Sequence, residues 1–216
     1  MTDYEKQQAR KAELRELYIE WWSNRTPDES KLLDNVFEYE DEFFDDFTFK
    51  PGSIITPYIE YEIEYDGEWV TEYVEVPDDM TSIDFSHYRL YVAELDDGTE
   101  GQINNVDRII TIPKENIDNK SVVLHEMIHA YINSMSDYYW TFREILTTCL
   151  YKDMSAKIPD LEDRLIANSQ LLISQQTMLQ GGEHGTLFFL KSLDLDLRCG
   201  YKLGTVCGYG RDEYTA

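Results

Sequence analysis

The chain is short of basic residues. Lys and Arg number 19 against 43 Asp and Glu, a formal net charge of −24 in 216 residues. Nucleic-acid binders need a basic face to displace counterions from phosphates. No run of Lys and Arg exists here to build one, so direct contact with nucleic acid or an anionic membrane surface is not expected. Cysteine is scarce too. Cys149, Cys199 and Cys207 are odd in number and form no CxxC pair, which argues against a disulfide framework and against a zinc ribbon. No apolar run is long enough to cross a bilayer. Residues 1–17 are polar and charged, without the apolar stretch of a signal peptide. A reducing, cytoplasmic setting is the expectation. There is no internal repeat and no low-complexity linker, so one domain over 1–216 is expected.

What is present suffices for a core. Hydrophobic residues make up 42% and aromatics 13%, a composition that disordered chains do not have. The acidity reads first as a solvated surface. Its sharper readings are a basic partner protein or mimicry of DNA.

The organisation along the chain predicts an α+β fold. Ala9, Leu14, Leu17, Tyr18 and Trp21 or Trp22 recur at helical spacing. After Pro27, Asp28 or Ser30 is expected to cap an acidic second helix reaching about Phe44, within an N-terminal helical segment 1–50. Tyr58–Tyr65 alternates with period two, Asp66-Gly67 suits a tight turn, and residues 68–76 alternate back. Further strands are expected over 88–95 and 108–112, the last stopping at Pro113. From about 118 the pattern turns helical. Helices are expected over 120–135, 138–153 and 160–180, with a short one starting near His184.

One motif carries chemistry. His125-Glu126-Met127-Ile128-His129 places two imidazoles four residues apart. On a helix they share a face one turn apart and can meet one ion. Glu126 sits at the edge of that face, where it reaches a water on the ion rather than the ion itself. Leu124, Ile128, Tyr131 or Ile132, and Met135 form an apolar stripe, so the motif is expected on a half-buried helix. A zinc hydrolase needs a third protein ligand and an open fourth position. His184, in Gly181-Gly182-Glu183-His184-Gly185, is one candidate; Glu144 and Glu183 are the others.

His125-Glu126-Met127-Ile128-His129-Ala130-Tyr131, followed by Glu183-His184-Gly185-Thr186-Leu187-Phe188, resembles the SprT-like metalloprotease family. The likeness covers roughly residues 105–195. It implies that His125, His129 and His184 bind Zn2+ and that Glu126 is the catalytic base. It also implies a zincin-like fold: N-terminal helices, a small mostly antiparallel β-sheet, the HExxH helix and further C-terminal helices. The 55 residues from His129 to His184 exceed the family's usual spacing. The helices of about 138–180 therefore read as an insertion able to cover or regulate the site. The family's zinc ribbon and basic DNA-binding tail are missing, which argues against a role on DNA.

The expected activity is zinc-assisted hydrolysis of a protein or peptide substrate, with the strand Ile109–Ile112 able to align an extended chain. Asp137, Asp194 and Asp196 are candidates to orient the imidazoles. Tyr201 and Tyr209 are candidates to assist an oxyanion. The competing expectation is a non-catalytic acidic binding or regulatory protein, a possible DNA mimic, whose zinc site is structural or vestigial.

Overall fold

Two capping boxes start the two helices that open the chain. Before α1 (Asp3–Asn24), the Thr2 hydroxyl accepts the Glu5 N–H at 3.2 Å, and the Glu5 carboxylate accepts the Thr2 N–H at 2.6 Å. Before α2 (Pro27–Phe43), Thr26 and Glu29 repeat the exchange at 3.2 and 2.7 Å. The expected caps, Asp28 and Ser30, thus lie inside the helix. Pro27 takes its first position, where the missing N–H leaves no bond unmade, and Thr26 caps instead. The computed structural model describes residues 2–43, 58–65, 68–75, 88–96, 98–134, 140–174 and 184–208.

The expected hairpin is present. β1 (Tyr58–Tyr65) and β2 (Glu68–Glu75) pair antiparallel from Tyr58 opposite Glu75 to Tyr65 opposite Glu68. The Asp66-Gly67 turn and Val76 lie outside the described residues.

A second sheet has three strands: β3 (Arg89–Val92), β4 (Gln102–Asn104) and β5 (Ile109–Ile112), in the order β3-β5-β4. β5 runs parallel to β3 and antiparallel to β4. The chain lays down β3, passes across to place β4 at the far edge, then turns back to fill the middle. This sheet is therefore mixed, which corrects the expectation of a mostly antiparallel one. It also corrects the role expected of β5. Both of its edges are taken by neighbouring strands, so β5 has none left to align a substrate. β4 is the outer strand on the side of the third helix.

A 3-10 turn at Lys114–Asn116 leads into α3 (Lys120–Ser134), the helix that bears the HExxH motif. It packs against α2, β4 and the last helix, α6 (Thr186–Cys199). Every residue from 121 to 131 is buried. The half-buried helix of the sequence reading is thus a central one, because it is covered on more than one side. Met135 of its expected apolar stripe lies outside the described residues.

α4 (Trp140–Lys157) and α5 (Leu161–Ser174) are the helices of the expected insertion, and both pack on α6. Residues 175–180 of the third expected helix are outside the described residues. α6 is no short helix. Ten consecutive residues, Leu187 to Asp196, are buried along it. They include Lys191 and Asp194, whose opposite charges meet at 2.9 Å, with Arg198 joining Asp194 at 3.0 Å. Burial of such charges is tolerable only because they are paired. Leu32, Ile112, Leu124, Met127, Leu150 and Leu193 exemplify the core between these elements. Each fully buried aliphatic side chain contributes about 1.5–3 kcal/mol.

One buried hydrogen bond and several ion pairs hold the N-terminal helices to the remainder. Trp21 Nε1 donates to the Leu90 carbonyl at 3.1 Å, and Arg10 meets Asp107 at 2.6 Å. Lys120 meets Glu42 at 2.7 Å, and Lys31 pairs with Asp118. Among the described residues no helix is long and apolar enough to cross a membrane.

Candidate metal centre

α3 and the start of α6 bring three imidazoles together. His125 Nε2 lies 3.2 Å from His129 Nε2 and 3.1 Å from His184 Nε2, and the last two are 3.1 Å apart. The helical spacing supplies the first pair; His184, two residues before α6, closes the triangle. His125 is fully buried and His129 nearly so, while His184 is partly exposed. Among the described residues the cluster consists of these three side chains. Glu183 and the side chain of Glu144, the other candidate ligands, lie outside the described residues.

The triangle fits a cation better than it fits itself. His125 Nδ1 is 2.8 Å from the Val206 carbonyl. A carbonyl only accepts, so the proton of a neutral His125 sits on Nδ1, and its Nε2 presents a bare lone pair. Three mutual N···N contacts cannot then all be hydrogen bonds. If His129 and His184 both donate to His125, their own contact sets N–H against N–H; in any other arrangement two lone pairs face each other. A shared ion removes the conflict. Imidazole nitrogens about 2.0–2.1 Å from a tetrahedral metal stand ~3.3 Å apart, close to the spacing seen here. The three residues are therefore close enough to bind one metal ion.

Burial keeps the three imidazoles in the form that can bind a metal. Burial, with the neighbouring His184, pushes His125 down to about 3. Burial chiefly, then His125 and His184, hold His129 well below the ordinary imidazole value. Burial lowers His184 too. A neutral imidazole is the species that ligates metal.

Phe188 forms the floor of the site. Its ring centroid is 4.8 Å from that of His125, 4.5 Å from His129 and 4.7 Å from His184. Four residues after His184, in the first turn of α6, it restricts all three rings and shuts water out from one side.

Glu126 is buried beside the start of β4. A Cβ on Gly101 would come within 2.6 Å of Glu126 Oε1. The glycine at that point is what makes room for the carboxylate.

The candidates for orienting the imidazoles sort differently from expectation. Asp194 is committed to Lys191 and Arg198. Asp196 reaches the backbone of the turn after α6, its Oδ1 accepting the Val206 N–H at 2.9 Å and its Oδ2 the Gly204 N–H at 2.6 Å. The group that meets His125 is the Val206 carbonyl, which the sequence reading missed, as it missed Gly101. Burial pushes Asp196 up to about 7, while the N–H groups of Val206, Gly204 and Thr205 pull it the other way. Tyr201 has Cys199, Lys120, Asp196 and Glu42 as its electrostatic neighbours, and burial raises its phenol. Asp137 and Tyr209 lie outside the described residues.

The fold and the site thus define an α+β protein with a three-histidine cluster suited to a metal ion. No family model matches the chain, and neither a curated protein nor a solved structure does.

Proposed function

We propose that the protein is a zinc-dependent peptidase in which His125, His129 and His184 hold the ion and Glu126 is the general base. The observation that carries this reading is the triangle of Nε2 atoms, 3.1–3.2 Å on a side, built around a helical HExxH motif. The resemblance of residues 125–131 and 183–188 to SprT-like metalloproteases supports it. Zinc in such a site supplies Lewis acidity towards a carbonyl and acidifies a water in its open position. Glu126 accepts the proton of the attacking water and returns it to the leaving amine. The Val206 carbonyl keeps the His125 lone pair on Nε2, and Phe188 keeps one side of the ring cluster dry. Among the described residues β4, the outer strand beside α3, pairs on one side alone, and its other edge suits an extended polypeptide.

The test is paired. Purified protein should carry about one zinc per chain, and His184→Ala should lose tight stoichiometric zinc. Glu126→Gln should keep the zinc and lose ~10²–10⁴-fold in hydrolysis of an unfolded protein substrate. Tight zinc in His184→Ala would remove His184 as a ligand. Undiminished turnover in Glu126→Gln would remove Glu126 as the base. Zinc bound by a wild-type chain that cleaves nothing would favour the acidic binding protein with a structural site.

A further inference from the structure

The carboxylate of Asp196 and the imidazole of His125 never touch, yet one residue joins them. Val206 is fully buried in the turn that follows α6. Its N–H is held by Asp196 Oδ1 at 2.9 Å, and its carbonyl accepts the His125 Nδ1–H at 2.8 Å. Asp196 Oδ2 takes the Gly204 N–H at 2.6 Å, so the carboxylate grips the turn at two points. The turn is brought back over the helix end by Gly200, which ends α6 at a φ of 67°. Left-handed backbone is the conformation that glycine adopts without steric cost. Tyr201 N–H then donates to the Asp196 carbonyl at 2.7 Å. Asp196 is itself fully buried.

We infer that Asp196 is a positioning residue for the metal centre, fixing the 204–206 turn so that the Val206 carbonyl holds His125 in the Nδ1–H tautomer with Nε2 free for the ion. The helix α6 then governs two ligands. His184 stands two residues before its start, and through Asp196 near its end the helix sets the ring of His125. Histidine ligands generally donate their second N–H to a fixed acceptor, and loss of that support weakens metal binding by about 10–100-fold. Here the acceptor is a backbone carbonyl, so the side chain that can be altered is the one that anchors it. Asp196→Asn keeps the volume but turns one oxygen into an N–H donor facing a backbone N–H.

The inference rests on the metal-centre reading and not on peptidase activity. Zinc affinity and the tautomer of His125 are its readouts. In the wild-type apoprotein, two-bond 1H–15N spectra should show His125 protonated on Nδ1; an Nε2–H tautomer overturns the inference whatever the variants do. Asp196→Asn should weaken zinc binding ~10–100-fold and mix the two tautomers. Asp194→Asn makes the same exchange on the same helix and breaks the ion pairs with Lys191 and Arg198 instead of the grip on the 204–206 turn. It should lower stability while leaving the tautomer unchanged and zinc affinity within about twofold. Equal zinc affinity in wild type and Asp196→Asn overturns the positioning role alone. Absence of zinc binding in the wild type overturns the metal centre itself.

Discussion

A methyl group on Gly101 would stand 2.6 Å from Glu126 Oε1, 2.9 Å from its Cγ and 3.0 Å from its Cδ. Such approaches force one partner aside. The flexible partner is Glu126, whose carboxylate is the proposed base. Gly101→Ala should therefore leave zinc content unchanged and cut kcat by roughly 10–100-fold, since a displacement near 1 Å can cost that much. Metal content and kcat measured on the same preparation check it, and an unchanged kcat would show that the carboxylate moves aside at no cost to catalysis. Single residues were unevenly legible in the sequence. His125 and His129 declare themselves through helical spacing, whereas His184 was one of three candidates beside Glu144 and Glu183, favoured by the resemblance of the Glu183–Phe188 segment to a known motif. Gly101 has no such mark, because its role is to be absent where another side chain must fit. Val206 has none either, since its contribution is a backbone carbonyl 81 residues from the ring it holds.

α6 is the element on which the site depends most. α3, α4 and α5 all pack on it, and its N-terminal end follows directly from His184. The two helices read as an insertion are thus part of the core on which His184 is seated. Leu150 on α4 is fully buried, whereas Ile166 on α5 is 56% exposed. Leu150→Ala should destabilise the fold by about 2–5 kcal/mol, and Ile166→Ala should stay within about 0.5 kcal/mol of the parent. Urea unfolding measures both. Equal, small effects would mean that α4 is an appendage. Period decided which elements could be read in advance. The hairpin of β1 and β2 was plain because eight-residue strands alternate fully. The three residues of β4 are too few to show a period. With β4 unseen, the central place of β5 and the mixed pairing of the sheet were unseen as well. The start of α2 was misjudged because Asp28 and Ser30 are both acceptable caps, whereas the pairing of Thr26 with Glu29 sets the start ahead of either.

Over the whole molecule the net charge of −24 raises the local concentration of cations, but the buried site titrates by its own rules. In the unfolded chain the three imidazoles take up protons as the pH falls below 6.5, their ordinary value. In the folded chain His125 does so only near about 3, and His129 and His184 are lowered as well. The unfolded state therefore binds more protons through that window, and the metal-free protein loses stability as the pH drops from 6.5 towards about 3. Asp196 acts in the opposite sense. Pushed up to about 7 from 3.8 by burial, it holds a proton longer when folded, and its contribution declines as the pH rises between those values. Three imidazoles against one carboxyl leave the histidine trend dominant on the acid side. Zinc meets proton competition only where the folded site binds protons. Ordinary imidazoles would each be about nine-tenths protonated at about pH 5.5, and a site of three would lose roughly a thousandfold in affinity from about pH 7.5. With all three lowered by burial, proton competition at the imidazoles should change zinc Kd less than about tenfold over that interval, and the Asp196→Asn variant, which has no carboxyl to titrate there, isolates their part. Competition titration against a chelator at the two pH values measures it. A loss near a thousandfold would mean that the imidazoles meet water freely before the metal arrives, so that the dry pocket over Phe188 forms only around the ion.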